Sequence, residues 1–264
     1  MHLPGWHNYT FLVTRNIIGF LLIAGLSAFF VKSMCEVDSN PTPQGECRLR
    51  WATNILPFAY VIYGTMVAWD FEMTLVPGWH SAEYGAYQFQ SGFHGFLAAF
   101  VIFLYFMDKS GKLKNQFDPK IFNYLAQFIL GMTILWVYFY FVQYLVFWYG
   151  RLPHDMDRYL AMIEEGYMPL GFVFFICKFA IPFFGLIFTP VRHNPTLIML
   201  ISVFVFLGTW LERYVWVSGS VASEFYHMPM SSWQDIVATL FVIIAAAFTV
   251  RQVMLRCNML ADKI

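Results

Sequence analysis

The stretch IFNYLAQFILGMTILWVYFYFVQYLVFWY, residues 121–149, decides the fold class of this chain. It contains no charged residue, and Gln143 is the only strongly polar side chain in its middle. A helix of about 20 mostly apolar residues is long enough to cross a bilayer. The stretch is therefore predicted to be a membrane-spanning helix, and its Trp and Tyr side chains are interpreted as packing residues rather than as a cofactor site.

Six further apolar runs accompany this stretch, and the breaks between the runs contain Pro, Gly or clustered charges. The seven predicted helices cover residues 9–31, 52–75, 87–107, 121–149, 168–189, 196–217 and 233–255. Because the runs nearly fill the chain, there is no room for a separate soluble domain. The sequence predicts an all-α fold, a polytopic membrane bundle of about seven transmembrane helices that forms a single domain over residues 1–264.

Composition supports a membrane location. Of the 264 residues, 59% are hydrophobic and only 12% are charged, whereas a soluble domain has about 25% charged residues. Much of the surface must therefore face something other than water, and membrane lipid is the first predicted partner. The formal net charge is zero, so nothing in the sequence favours a nucleic-acid partner.

Lys and Arg residues are distributed unevenly between the predicted loops. Loops 1, 3 and 5 and the C-terminus contain Lys32, Arg48, Arg50, Lys109, Lys112, Lys114, Lys120, Arg192, Arg251, Arg256 and Lys263. The opposite loops contain only Arg151 and Arg158. The positive-inside rule predicts a cytoplasmic C-terminus and an external N-terminus. Cys35 and Cys47 then lie on the reducing side, where free thiols are favoured over a disulfide.

The N-terminus is interpreted as a retained helix rather than a cleaved signal peptide. Residues 1–8 lack Lys and Arg, and no A-x-A-like site follows the first apolar run.

Ionisable side chains within membrane spans are costly, so they are candidates for function. Asp70 and Glu72 lie near the end of the second predicted helix, and His80 and Glu83 follow closely. Carboxylates and His relay protons near neutral pH. Two interpretations remain open: a proton-accepting cluster at a membrane face, or a polar helix end that faces water.

His94 lies among small residues in the sequence SGFHG, residues 91–95, which permits close helix packing. It is either a proton relay or quinone-carbonyl partner, with Tyr84 and Gln143 as further quinone candidates, or a packed His bonded to a neighbouring helix. A bis-His haem is not predicted, because the other histidines fall in terminal, turn or loop segments. These histidines are His2, His7, His80, His154, His193 and His227.

Three more charges lie within predicted spans: Lys178, Glu212 and Arg213. Glu212 and Arg213 are adjacent, so they point about 100° apart on a helix and are expected to meet partners on other helices. Lys178 is the predicted partner of Glu212. The charges form either part of a polar path through the bundle or a buried structural ion pair.

No phosphate loop, nucleophile elbow, or zinc or iron–sulfur ligand set is present in the sequence. The chain is therefore predicted to bind no metal and no redox centre directly, and it is not predicted to be catalytic alone.

Residues 70–85 read D-x-x-M-T-L-x-P-x-W-H-S-x-x-Y-G. This segment resembles D-W-x-M-S-L-x-P-x-W-x-S-x-x-Y-G, a motif of the F subunit of alternative complex III, which is a member of the polysulfide-reductase-type (NrfD-like) membrane family. Residues 136–153 are similar to W-x-Y-x-x-F-x-Q-Y-x-x-x-W-Y-x-x-x-P, and residues 182–186 to P-F-x-x-L. Residues 208–214, GTWLERY, resemble the G-x-W-x-E-R-[FY] of the sister C subunit.

The resemblance implies an integral subunit of a quinol:electron-acceptor oxidoreductase in a bacterial-type inner membrane. Its implied partners are an iron–sulfur protein, c-type cytochromes and a sister NrfD-like subunit, which hold the haem c and the iron–sulfur clusters; a quinone is the one ligand expected near this chain. The chain departs from the family in several ways. It is N-terminally shortened, with about seven helices where the F subunit has about ten, and His154-Asp155 stands where the family has Glu-Glu. Phe71 stands where the family's motif has Trp, and Glu72 adds an acid.

Two functional hypotheses follow. In the first, the subunit conducts protons or lines a quinone site. The proton-path candidates are Asp70, Glu72, His80, Glu83, His94, Lys178, Glu212 and Arg213. In the second, the chain is a purely structural anchor for peripheral cytochrome and iron–sulfur subunits. A stand-alone transporter is disfavoured, because the sequence has no internal repeat and no matched pair of broken helices.

Overall fold

The computed structural model describes residues 5, 8–76, 78–111, 118, 120–150, 153–164, 166–219 and 232–256. These residues form helices and short connections with no strand, which confirms the all-α prediction. The α-helices of the described chain are α1 (Tyr9–Ser39), α2 (Pro43–Val67), α3 (Tyr84–Lys109), α4 (Lys120–Tyr149), α5 (Pro153–Glu164), α6 (Met168–Phe175), α7 (Ile181–Leu186), α8 (Thr189–Arg192), α9 (Pro195–Ser218) and α10 (Trp233–Arg256).

Six helical segments of the described chain are long and apolar enough to cross a membrane. They are Tyr9–Ser39, Tyr84–Lys109, Lys120–Tyr149, Met168–Leu186, Pro195–Ser218 and Trp233–Gln252. Each coincides with one of the predicted apolar runs. The protein is therefore a multi-pass helical membrane protein, as the sequence predicts.

The remaining predicted run, residues 52–75, is helical but has different bounds. Thr42 caps the N-terminus of α2, because its side chain accepts a hydrogen bond from Gly45 N at 3.1 Å, and Pro43 occupies the first turn. The helix therefore begins nine residues before the predicted start, and this added part includes Glu46, Arg48 and Arg50. These charges, together with Thr53, Asn54 and Pro57, make α2 less apolar than the six spans.

Two wide π-helical turns interrupt this helical framework. The first, Ala68–Glu72, follows α2, and the second, Ile176–Ala180, joins α6 to α7. In the second turn, Ile181 N–H donates to Ile176 O, five residues back. Pro182 has no N–H to donate to the carbonyl of residue 178, and its ring would clash with that carbonyl in a regular helix. The wide turn accommodates the proline, and π turns of this kind occur frequently at functional sites.

The first π turn ends α2 in a different way. Met73 N–H donates to Ala68 O, and Thr74 Oγ1 donates to Asp70 O at 2.7 Å. A short 3₁₀ segment, Met73–Leu75, follows the π turn, and the helical stretch ends there. Each π turn carries ionisable side chains: Asp70 and Glu72 on the first, and Lys178 on the second.

Helix α5 lies where the sequence analysis predicts only a loop. Its 12 residues span about 18 Å, too short to cross a bilayer. Apolar side chains at Met156, Tyr159, Leu160 and Ile163 follow the i, i+3, i+4, i+7 spacing of an amphipathic helix. The same spacing is present in the sequence. The segment contains no long apolar run, because charged residues lie between the apolar ones.

The chain divides into two compact units, Met1–Phe89 and Gln90–Ile264. In the first unit, α1 packs on α2, where Gly19 leaves room for the ring of Tyr63, and Phe29 meets Trp51 edge to face at 6.3 Å. Cys35 and Cys47 are not joined by a disulfide.

The core of the second unit is formed by α3, α4, α7 and α9. Its fully buried members include Ala98, Val101, Ala126, Ile129, Leu186, Ile198 and Val205. Small residues bring the helices together: a Cβ on Gly95 would lie 2.8 Å from Thr209 Cγ2. Close approach through small residues is the usual way in which membrane helices associate.

Another close approach lies beside the second π turn. A Cβ on Gly208 would lie 2.8 Å from both Cys177 Cβ and Lys178 Cγ. We expect Gly208→Ala to lower the free energy of unfolding by about 1–3 kcal/mol, because a methyl group there overpacks the contact. Thermal unfolding of the purified protein in detergent measures this. Gly131→Ala is the control, since a Cβ there has open space around it; equal unfolding temperatures for the two variants would contradict the packing described.

Candidate functional site

A buried ion pair lies at the centre of the second unit. Lys178 Nζ contacts Glu212 Oε2, and the two side chains are 0% and 1% exposed. Lys178 Nζ also donates to Ser91 Oγ at 2.7 Å, and Ser91 Oγ donates to Glu212 Oε2 at 2.5 Å. Trp136 Nε1 donates to the other carboxylate oxygen at 2.9 Å. We call these four residues the Lys178 cluster.

Each member of the Lys178 cluster comes from a different helical element. Ser91 lies on α3, Trp136 on α4, Lys178 on the π turn between α6 and α7, and Glu212 on α9. The Trp136 ring also lies over the ammonium group, with its centroid 4.8 Å from Lys178 Nζ, a cation–π arrangement. Trp136 is 13 residues from the end of α4, about 20 Å along the helix. The cluster therefore lies deep within the spanning part of the bundle.

His94 lies one helical turn from Ser91 on α3 and is fully buried. Its Nε2 is 3.2 Å from Thr133 Oγ1, and Thr133 Oγ1 itself donates to Ile129 O at 2.9 Å. The threonine has a single hydroxyl proton, so the assignment that fits both bonds places a proton on His94 Nε2. His94 Nδ1 is then an acceptor, and it has no hydrogen-bond partner among the described residues.

Arg213 and Gln90 complete the polar surroundings of the Lys178 cluster. Arg213 is half-buried, and its Nη2 lies 3.7 Å from the position that a Cβ on Gly92 would occupy. Gln90 donates to Met132 O at 2.6 Å. These contacts tie α3 to α9 and to α4 at the level of the cluster.

A second charge cluster lies in the first unit, on the other π turn. Arg15 Nε donates to Asp70 Oδ2 at 3.0 Å, and Arg15 Nη2 pairs with Asp70 Oδ1. Asn16 Nδ2 also donates to Asp70 Oδ2 at 3.0 Å. The side chains of Arg15 and Asp70 are only 8% and 0% exposed. A bidentate arginine pair of this kind is among the stronger charged interactions in proteins.

Glu72 points to a different set of partners in the same unit. Tyr84 Oη donates to Glu72 Oε2 at 2.9 Å, and Gln88 Nε2 donates to the same oxygen. Trp79 packs edge to face on the Tyr84 ring at 5.2 Å. The half-buried carboxylate of Glu72 therefore ties the end of the first π turn to the start of α3.

Among the described residues, no hydrogen bond joins His80 or Glu83 to either cluster. His80 is exposed, and its Nδ1 lies 2.8 Å from Gly78 O within the turn. Glu83 lies at the start of α3, outside the spanning segments, and partial burial raises the pKa of its carboxyl group above the usual value.

The structure confirms the predicted Lys178–Glu212 pair and brings in residues that the sequence analysis did not select. In the sequence, Ser91 is only a small neighbour of His94, Trp136 is interpreted only as a packing residue, and Arg15 is not selected as a candidate. Gln143 is buried, and its amide atoms have no hydrogen-bond partner among the described residues. It lies ten positions beyond Thr133 on α4, about 15 Å along the helix.

Comparison with known proteins found no family model that matches the chain and no curated protein that is similar to it. Among the described residues, no group of three His, Cys, Asp or Glu side chains is placed to hold a metal ion. The chemistry that these residues offer is proton exchange between an amine, a hydroxyl, a carboxylate and an imidazole.

The burial of the Lys178–Glu212 pair predicts how protein stability changes when one of the two charges is removed. We expect Glu212→Gln to lower the free energy of unfolding by about 3–5 kcal/mol, because it leaves the Lys178 ammonium group buried without its counter-charge. The double variant Lys178→Met, Glu212→Gln is expected to recover most of that loss, since it removes both charges. Thermal unfolding in detergent measures both variants.

Glu36 provides the matched control. It pairs with Lys32 at 3.9 Å and Arg48 at 3.3 Å, and all three side chains are substantially exposed. Glu36→Gln is expected to change stability by less than about 1 kcal/mol. A Glu212→Gln variant as stable as Glu36→Gln would contradict a charged pair at this position.

Proposed function

We propose that the chain is a membrane subunit of a respiratory quinol:electron-acceptor oxidoreductase of the alternative complex III kind, and that it conducts protons through the Lys178 cluster. The observation that carries the proton role is an ion pair with 0% and 1% exposed side chains, set deep in the spanning part of the bundle. Ionisable groups at membrane depth are expensive and are characteristic of proton relays.

The geometry of Ser91 suggests how a proton would move. Its hydroxyl accepts from Lys178 and donates to Glu212. If Ser91 gives its proton to Glu212 while it takes one from Lys178, the ion pair becomes a neutral amine and a neutral carboxylic acid. The number of protons is unchanged, and both neutral groups tolerate low dielectric better than isolated charges. The cluster thus has two charge states with the same number of protons, and the Ser91 hydroxyl bridges the amine and the carboxylate.

His94 offers the next acceptor on the same helix. Its neutral ring donates through Nε2 to Thr133, which leaves Nδ1 available to receive a proton. We infer that His94 exchanges protons with the Lys178 cluster, with Arg213 tuning the charge balance nearby. In the first unit, Asp70, Glu72, His80 and Glu83 are proposed as entry or exit groups near a membrane face.

The identity of the complex rests on the sequence motifs. Residues 70–85, 136–153 and 208–214 resemble the membrane subunits of alternative complex III. In that setting the iron–sulfur protein, the c-type cytochromes and the sister subunit would hold the redox centres, and quinol would supply electrons and protons. The proposed location is the bacterial cytoplasmic membrane, with the N-terminus outside.

A quinone role for this chain has less structural support than a proton role. Tyr84 is fully buried and donates to Glu72, and His94 bonds Thr133. Thr133 and Gln143 are about 15 Å apart along α4, so one quinone ring would not contact both His94 and Gln143. The proposal therefore places the quinone mainly against partner subunits.

A structural anchor is the second candidate function, and one observation favours it. The buried charges are paired within the chain, Lys178 with Glu212 and Arg15 with Asp70. Static pairs of this kind would hold the helices together without any proton movement. The two candidates differ in what removal of the Ser91 hydroxyl should do.

We expect Ser91→Ala, in the purified complex reconstituted into vesicles, to slow quinol-driven proton uptake by roughly 100-fold, the size of effect that a proton-transfer group commonly has. The direct contact between Lys178 and Glu212 remains, so the variant should assemble. An internal pH-sensitive dye and a quinol oxidation assay together give the proton-to-electron ratio. Ser91→Thr, which restores a hydroxyl, is expected to recover part of the rate.

Ser202→Ala is the matched control. Ser202 is a fully buried serine on α9 whose hydroxyl donates to Ile198 O at 2.8 Å, outside the Lys178 cluster. It should leave the proton-to-electron ratio unchanged. If Ser91→Ala gives the same ratio as Ser202→Ala, the relay is wrong and the structural anchor is favoured.

A further inference from the structure

An apolar cavity of about 420 Å³ lies in the second unit, and none of its lining residues belongs to the Lys178 cluster. Its walls are formed by the later part of α4, by α5, by α6 and by the end of α9. The lining consists only of Tyr, Trp, Phe, Met, Leu, Ile, Val and Gly residues. Its volume falls within the range of small-molecule sites, and its lining favours a hydrocarbon over a charged or water-soluble ligand.

The cavity opens toward the lipid-facing surface of the bundle. At its rim, Leu160, Ile163 and Phe172 are 45%, 51% and 59% exposed, while Trp216 and Tyr167 at the inner side are 2% and 1% exposed. Phe172 belongs to the spanning segment Met168–Leu186, whose exposed apolar side chains contact lipid tails. Leu160 and Ile163 lie beside it on the amphipathic helix α5. The cavity is therefore continuous with the lipid interface, and a ligand can enter sideways from the bilayer.

Along α4, the distance from the cavity-lining Tyr140 to the helix end is close to the thickness of one leaflet. Tyr140 lines it and lies nine residues before Tyr149, the last residue of α4. Nine residues of helix are about 13 Å, and half of the hydrocarbon core is about 15 Å. Trp148 and Tyr149 at the helix end have the side chains that mark the interface. A chain that hangs from the headgroup level would follow the cavity inward.

We propose that this cavity binds one acyl chain of a membrane phospholipid, whose headgroup lies at the level of α5. Met156, Met162 and Met168 line the cavity with flexible, polarisable side chains that adapt to a flexible chain. An apolar cavity at bilayer depth gains dispersion contacts when hydrocarbon fills it. The site is a structural lipid site, and it stands whether or not the chain conducts protons.

The occupied cavity would support the wall of the Lys178 cluster. Tyr140 and Phe174 both line the cavity. The Tyr140 ring stacks on Trp136 at 5.3 Å, and the Phe174 ring meets Trp136 edge to face at 6.2 Å. Trp136 in turn donates to Glu212. The acyl chain would thus hold in place the two rings that position the indole N–H donor of the ion pair.

Substitution of Gly171, which lines the cavity, tests whether an acyl chain binds there. A Cβ there would meet only Phe174, at 3.9 Å, so a larger side chain can enter the cavity without a clash. Gly131→Leu is the control, because it adds the same side chain on α4 where a Cβ has open space around it. The probe is a diacyl phospholipid with a photoactivatable diazirine in the middle of one chain, added to the full-length protein in nanodiscs of phosphatidylethanolamine and phosphatidylglycerol.

After irradiation, peptide mass spectrometry locates the labelled residues. In the wild-type protein and Gly131→Leu we expect labels on cavity residues of α5 and α6, and in Gly171→Leu about tenfold fewer, because a filled cavity excludes a second occupant. Gly171→Ala, which fills less space, should give an intermediate result and guards against misfolding of the larger variant.

Two outcomes would overturn the proposal. One is equal labelling of α5 and α6 in all variants, which would mean that the probe reports only the outer lipid surface. The other is displacement of the probe by added quinone at a lower concentration than by added phospholipid, which would assign the cavity to the tail or ring of a quinone.

Discussion

The arrangement of these helices depends on the free-energy cost of placing charge in hydrocarbon. Lys178 and Glu212 have almost no exposed side-chain surface, so neither charge is tolerable without the other. Four elements, α3, α4, α9 and the π turn before α7, must hold their positions for the pair to form. The small residues that bring α9 against the π turn, above all Gly208, therefore serve the ion pair as well as the packing. The Arg15–Asp70 pair imposes a similar demand on the first unit.

Both buried pairs depend on helices that are locally irregular. Asp70 lies on one π turn and Lys178 on the other. A wide turn changes the direction in which the following side chains project, and it leaves one carbonyl without its usual helical donor. At Asp70, the Thr74 hydroxyl supplies a donor to that residue's carbonyl; at Lys178, Pro182 removes one. Different local chemistry thus produces the same kind of turn beneath a charged residue.

Much of the fold was predictable because apolar run length is a direct consequence of bilayer thickness. The Lys178–Glu212 pair was also predictable, since a charge in one span has few possible partners of opposite charge in the other spans. Arg15, Ser91 and Trp136 were not selected, because sequence spacing does not show which neighbouring helix a side chain meets. Helix α5 was missed because its signal is amphipathic spacing rather than length. Pro182, four residues after Lys178, was the one sequence signal for the second π turn.

The π turn Ile176–Ala180 also affects how this chain would align with related sequences. A turn bonded from residue i to residue i−5 contains one residue more than an α-helical turn. It is therefore the structural equivalent of a single-residue insertion that the helix absorbs without losing its direction. Related sequences with a regular helix here would align with a one-residue gap within 176–180, and their residue at the Lys178 position would face a different neighbour.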